Sequence, residues 1–256
     1  MKVSIVSVCY NAEKYIKDCL ESVSMQDYED IEHIVVDGAS KDGTLEIIKK
    51  HGAHISKLVS ESDKGLYDAM NKGIALTSGA IIGMLNADDL YPNPGVISRI
   101  VKAFKNSETM MSFGDLVYVN EGNLDKVVRY YQAHNYQDNW WSRGMMPPHP
   151  TFFVRKELYD RYGTFDTSFE ICADFDLMLR LFHKEKLAYS YIPETLVKMR
   201  TGGSSTQGLK STLTINQEML RSCKMHGVNT HYGKIYSKYF SKVFQLINKP
   251  KEIAKI

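Results

Sequence analysis

Long apolar runs are missing from this 256-residue sequence, and none approaches the length that a helix needs to cross a bilayer. Cysteine is scarce. Cys9, Cys19, Cys172 and Cys223 stand without C-x-x-C spacing, which speaks against a disulfide framework or a thiolate zinc site and suits a reducing cytoplasm. Neither G-x-G-x-x-G nor G-x-x-x-x-G-K-[ST] occurs, so a dinucleotide cradle and a P-loop are both poorly supported. An excess of one charge is also absent: 32 basic residues face 30 acidic ones. The first two-thirds carry no basic stripe interleaved with aromatics, so nucleic acid is not an expected partner. The opening Met1–Val8 reads as a strand and lacks the flanks of a secretory leader.

What is present is alternation. Val3–Tyr10, Ile31–Asp37, Ile55–Ser60 and Ile81–Asn86 read as strands. Helical patterns separate them: one capped by Asn11 and carrying Ile16, Cys19, Leu20 and Val23, one through Ile47 and Ile48, and one over Leu66–Leu76. Val96, Ile97, Ile100, Val101 and Phe104 repeat at helical spacing. This βαβαβαβ order predicts an α/β fold with a mostly parallel central sheet flanked by helices. Beyond Asn106 the pattern changes to a small antiparallel element. Met110–Val119 and Lys126–Gln132 flank Asn120–Asn123 as a hairpin, and the aromatic, proline-rich stretch Asn139–Pro150 follows. A helix is expected over Asp174–Lys184, then short strands over Ala188–Ile192 and Leu196–Arg200, then a small-residue loop at Gly202–Gly208. From His231 onward six lysines face one glutamate, and Ile235, Tyr239, Val243 and Leu246 could share a helical face. Such a tail could lie on an anionic membrane surface or dock on the domain with its lysines solvated.

The chemistry concentrates at strand ends. The apolar run from Ala80 stops at the adjacent acids Asp88 and Asp89. In a parallel sheet, ligands collect at the carboxyl edge of the strands. Two carboxylates there repel one another unless a hard divalent cation lies between them, although acids before Pro92 and Pro94 could instead cap a helix. The other strand ends offer Tyr10 and Asn11, Asp37, and Glu61 through Lys64 at the same edge.

Five segments in order, Val3–Asn11, Val35–Thr44, Asp63–Gly73, Leu85–Asp89 and Cys172–Arg180, resemble family 2 glycosyltransferases with the glycosyltransferase A fold, such as bacterial enzymes of capsule, exopolysaccharide or lipopolysaccharide assembly. The resemblance covers the chain from its start to about residue 205. It implies a nucleotide-sugar-binding half over 1–110, an acceptor-binding half of the same domain over 111–226, and a basic amphipathic tail over 227–256. The donor implied is a nucleotide sugar, with UDP favoured because an ionised Asp37 can accept the uracil N3–H. Tyr10 and Asn11 would border base and ribose, and Asp63 and Lys64 the nucleotide. Asp88 would contact ribose or sugar hydroxyls, and Asp89 would touch Mn²⁺ or Mg²⁺. That cation would serve the departing diphosphate as a Lewis acid. Asp174, at a helix start whose N–H groups would keep it ionised, would be the general base toward an acceptor hydroxyl. An inverting transfer needs only that one protein base.

The acceptor implied is a glycan or a lipid-linked glycan, with Trp140, Trp141 and His149 as candidate contacts; each of these could equally serve packing. Three departures from the family's pattern stand out. Ala173 replaces a common Glu, Met70 a common Arg, and the stretch after Arg200 lacks a common His. A sugar nucleotidyltransferase and a catalytically silent carbohydrate-binding subunit are the competing readings. A cytoplasmic location, with peripheral contact through the tail at the inner face of the membrane, completes the expectation.

Overall fold

The computed structural model describes residues 1–201 and 209–240. Four parallel strands form one side of the sheet: β1 (Val3–Cys9), β2 (Ile31–Asp37), β3 (Ile55–Ser60) and β4 (Ile81–Met84). β1 is buried throughout. Val3 and Ile5 pack on one face, and Val6 and Val8 on the other. Helices α1 (Ile16–Ser24), α2 (Thr44–His51) and α4 (Val96–Phe104) cover the first face, and α3 (Leu66–Leu76) covers the second. α4 buries all five residues that its spacing marks out, since they recur every three or four positions. α3 lies close on β1: a Cβ at Gly73 would stand 2.2 Å from Val6 Cγ1, so only glycine fits there.

The sheet then changes direction. β5 (Asp89–Leu90), β6 (Met111–Asn120), β7 (Asn123–Tyr131), β8 (Phe153–Arg155) and β9 (Tyr189–Arg200) give the order β3-β2-β1-β4-β8-β6-β9-β5, with β7 paired to β6 as a hairpin. β8 is antiparallel to both β4 and β6, whereas β6 and β9 run parallel. α5 (Lys156–Tyr162), α6 (Ala173–Leu179), α7 (Leu209–Met225) and α8 (Tyr232–Tyr236) complete the fold.

Four local expectations are corrected. Asn11 does not cap α1, which starts at Ile16. Asn11 adopts φ 49°, and its Oδ1 accepts the Lys41 N–H at 2.9 Å. The two expected strands after Ala188 are one: Ile192 pairs with Gly114 and Thr195 with Asp115, so Pro193 and Glu194 form a bulge and not a break. β4 ends as a strand at Met84, yet Leu85 N–H and Ala87 N–H still donate to Val6 and Val8 and carry the chain alongside β1. The helix expected to run to Lys184 turns π-helical over Arg180–Lys184.

In the tail, Ile235 and Lys238 are buried, and Lys238 Nζ donates to Asn216 Oδ1 of α7 at 2.7 Å, so this part docks on the domain. The Gly202–Gly208 loop and residues 241–256 lie outside the described residues. Among the described residues, no helix is long and apolar enough to cross a membrane.

Candidate active site

Parallel register puts three strand ends in one row: Cys9 opposite Asp37, and Asp37 opposite Ser60. Asp37 is fully buried there. Its carboxylate accepts from Ser40 N (3.1 Å), Ser40 Oγ (2.5 Å), Ser60 Oγ (2.6 Å) and Cys9 Sγ (3.6 Å). A carboxylate has about four lone-pair sites, so internal donors already fill this one. The loop after it is cross-linked to the loop after β1. Asn11 N–H donates to Ser40 Oγ at 2.8 Å, and Ala39 adopts φ 59°. Tyr10 projects from this row, 62% exposed.

Asp63 and Lys64 lie on the connection from β3 to α3. Lys72, one face along α3, ties this connection down by reaching Asp63 Oδ1 (2.6 Å), Glu61 Oε1 (2.9 Å) and Asp68 Oδ2 (3.5 Å). Asp63 and Glu61 hold the Lys72 ammonium well above its usual range. Lys64 is exposed, and its backbone N–H donates to Asp68 Oδ2. Met70, at the position where an arginine is common, is buried in the main apolar cluster.

Asp88 and Asp89 follow the stretch that runs beside β1, so they stand next to the same row. Burial differs sharply between them. Asp89 is fully buried with both oxygens lacking a hydrogen-bond partner, while Asp88 is partly exposed. Burial pushes the Asp88 carboxyl up, and burial together with the Asp88 charge pushes Asp89 far up. Arg200, at the end of β9, opposes both shifts from nearby. Its guanidinium is nearly buried, donates to the Asp88 backbone oxygen at 2.8 Å, and pairs with Asp18 of α1. Solvent therefore reaches the acid expected on ribose more readily than the one expected on the cation.

α3 leaves from the carboxyl end of β3, so its first turn lies at the same sheet edge. Tyr67 in that turn donates toward Asp174 Oδ1 at 3.2 Å. The nearest nitrogen of His149 is 4.0 Å from Asp174 Oδ2, and its ring stands edge-on to Phe165. His149 and Asp174 are thus brought together. Burial lowers the His149 pKa, although Asp174 pulls it up. Burial raises Asp174 above the usual carboxylate range, against His149, the Phe175 N–H and Tyr67. The donors at the helix start do not hold Asp174 below its ordinary value, because desolvation outweighs them. A carboxylate shifted upward is a better proton acceptor near neutral pH.

Trp140 and Trp141 are not available to a sugar. Trp141 is fully buried, set against Tyr136, Phe175 and Phe182, and its indole N–H donates to Tyr136. Trp140 is 7% exposed, edge-on to Tyr136. They form the aromatic core beneath β6 and α6. Tyr67 and Lys72 lie inside Asp63–Gly73, a segment that carries the resemblance, yet the sequence reading gives them no role, and Arg200 stands there only as the end of an expected strand.

An open α/β sheet with acids at the carboxyl ends of its strands places a ligand crevice along that edge. The fold is glycosyltransferase A. The crystal structure of S. aureus TarS 1-349 in complex with UDP-GlcNAc matches with a TM-score of 0.68 at 16% identity, covering 95% of this chain and 73% of that one. The mannosyltransferase PcManGT from Pyrobaculum calidifontis, in complex with GDP-Man and Mn²⁺, matches at 0.63 and 18%, covering 93% and 69%. The family model for glycosyl transferase family 2 matches residues 4–163, and the chain belongs to that family and is a glycosyltransferase. A PGL/p-HBAD biosynthesis glycosyltransferase of Mycobacterium bovis is 26% identical over 87% of this chain and 84% of its own length. Chondroitin synthase of Escherichia coli is 27% identical over 74% of this chain and 29% of its own.

Proposed function

We propose that the chain transfers a sugar, with inversion, from a UDP-sugar to a hydroxyl of a glycan or lipid-linked acceptor in cell-surface polysaccharide assembly. The observation that carries this reading is Asp174: a single carboxyl, raised by burial and flanked by His149 and Tyr67, at the edge where the strand-end acids gather. One base suffices when the attacking hydroxyl approaches opposite the leaving group. Asp174 takes the proton of that hydroxyl as its oxygen attacks the anomeric carbon, and the nucleoside diphosphate leaves with the bonding pair.

The acid pair fits a hard cation. Two adjacent carboxyls, one without any partner, are what Mn²⁺ or Mg²⁺ would relieve, and oxygen ligands suit both ions. Among the described residues no three His, Cys, Asp or Glu side chains form a metal cluster, so diphosphate oxygens would complete the coordination. We assign the cation contact to the pair, with the cation relieving the unpartnered Asp89 carboxyl and Asp88, which solvent reaches, beside it. A bound cation would supply charge neutralisation for the departing diphosphate. Tyr10, Asn11, Asp63 and Lys64 border the nucleoside and diphosphate. Asp37 orders the wall through Ser40 and Ser60, and reads uracil only by exchanging one of those donors.

A panel of UDP- and GDP-sugars with and without Mn²⁺ checks this reading. The expected outcome is cation-dependent release of UDP from one donor. Asp174→Asn should lower transfer by roughly 10²–10⁴-fold, the usual contribution of a general base, with UDP affinity nearly intact. Pyrophosphate release from a nucleoside triphosphate would instead identify a nucleotidyltransferase, and strongly weakened UDP binding in Asp174→Asn would refute the base assignment.

A further inference from the structure

The loop that presents Asp174 is held from two sides. From α7, Glu218 accepts three consecutive backbone N–H groups, those of Glu170 (2.6 Å), Ile171 (2.9 Å) and Cys172 (2.9 Å). Cys172 Sγ also leans on the Ile215 carbonyl of the same helix at 3.6 Å. Ala173 brings no carboxylate to this turn, and Glu218 brings one from 45 positions later in the chain. From α3, the Tyr67 hydroxyl has two acceptors within reach for its one proton, the Ile171 carbonyl and Asp174 Oδ1, the latter at 3.2 Å. Its ring is 6% exposed and stacks on Phe165 at 5.4 Å, so the hydroxyl has little freedom.

We infer that Tyr67 and Glu218 are positioning residues for Asp174, with the Tyr67 hydroxyl following the proton through the reaction; this rests on Asp174 being the base. A phenol has one proton and an oxygen that also accepts. While Asp174 is ionised, Tyr67 gives its proton to Oδ1. Once Asp174 has taken the acceptor's proton, the new carboxyl O–H donates to the phenol oxygen, and the phenol proton turns to the Ile171 carbonyl. No bond to Tyr67 is made or broken. Glu218 fixes the place of that carbonyl by clamping the N–H groups on either side of it. Both protonation states of the base thereby keep a partner, and the carboxyl does not swing between them.

The ionisable groups facing Asp174 are Tyr67 from α3, His149 from the turn His149–Thr151, and Cys172 beside it, with Glu218 behind Cys172. Tyr67 donation lowers the Asp174 pKa, so its removal raises it.

The test uses the full chain labelled with ¹³C at aspartate carboxyls. The Asp174 signal is assigned by its loss in Asp174→Asn, and UDP serves as the binding probe. Tyr67→Phe, which keeps the ring, should move the Asp174 titration midpoint up by roughly half to one pH unit, the worth of one hydrogen bond. It should shift the acidic limb of kcat the same way and leave UDP affinity unchanged. Glu218→Gln should lower kcat severalfold, again with UDP affinity unchanged. A purely structural role would alter melting and leave the midpoint in place. If Asp174→Asn is inactive while Tyr67→Phe matches wild type in midpoint and kcat, the inference is overturned alone. An active Asp174→Asn would overturn the base assignment and the inference with it.

Discussion

Single residues show most clearly what a sequence can and cannot announce. Asp37, Asp88, Asp89 and Asp174 are conspicuous because acids rarely end apolar runs without a reason. Their partners are not. Arg200 meets Asp88 from 112 positions away and Tyr67 meets Asp174 from 107, and no local pattern encodes such pairings. For Trp140 and Trp141 the sequence leaves sugar contact and packing both open, because an aromatic pair in a loop declares surface area but not which face is covered, and the fold buries them. His33 is another case that composition hides. It is buried between Ser7 Oγ and His54, each at 3.0 Å, and burial together with the neighbouring His54 pulls its pKa down to about 3. The unfolded chain binds a proton there near pH 6.5 and the folded chain does not, so stability is full above that value and declines as pH falls from 6.5 toward 3. Urea unfolding should show about 2 kcal/mol lost between pH 7.5 and 5 from this residue. His33→Gln should flatten that dependence; an unchanged slope would mean that His33 charges without opening the fold.

Elements were the most legible level. The four leading strands and α3 and α4 follow from periodicity alone, since buried strands read as unbroken apolar runs and helices repeat every three or four residues. The bulge at Pro193 reads as a gap in the sequence because a strand that steps over two residues looks interrupted in one dimension. The terminal segment presents two faces. Ile235 and Lys238 face inward, whereas Tyr232, Tyr236 and Phe240 recur every four residues and are 46%, 40% and 75% exposed. Exposed aromatics beside Lys234 would suit a peripheral membrane contact, because such rings settle at headgroup depth while a cation meets anionic lipid. The full chain should sediment with phosphatidylglycerol vesicles, release with added salt, and bind severalfold less after joint Tyr236→Ser and Phe240→Ser substitution. Equal binding to phosphatidylcholine would exclude the idea.

At the scale of the molecule, the sequence announced a parallel α/β sheet and left its far side open. Where β8 inserts between β4 and β6 depends on which edges long connections reach, and hydrophobic pattern says little about that. Nor did the sequence reveal that α7 belongs to the core. Met219 and Cys223 are buried in the main cluster, and Asp176 of α6 accepts from Ser222 Oγ at 2.8 Å and lies 2.9 Å from His226 Nε2. A chain cut after residue 208 would lose these ties and uncover apolar surface beneath α6. We expect it to melt well below the full chain in calorimetry, by several degrees or more, and to lose the Asp174 environment together with its fold. Equal melting temperatures would show that α7 is an appendage.

The cross-linked loops after β1 and β2 have one more consequence. Asn11 and Ala39 both hold left-handed backbone, which non-glycine residues avoid at a cost of about 1–2 kcal/mol each, and reciprocal bonds among Asn11, Ser40 and Lys41 lock them there. That strain is met during folding. If the nucleoside docks here as proposed, it meets a wall that is rigid before it arrives.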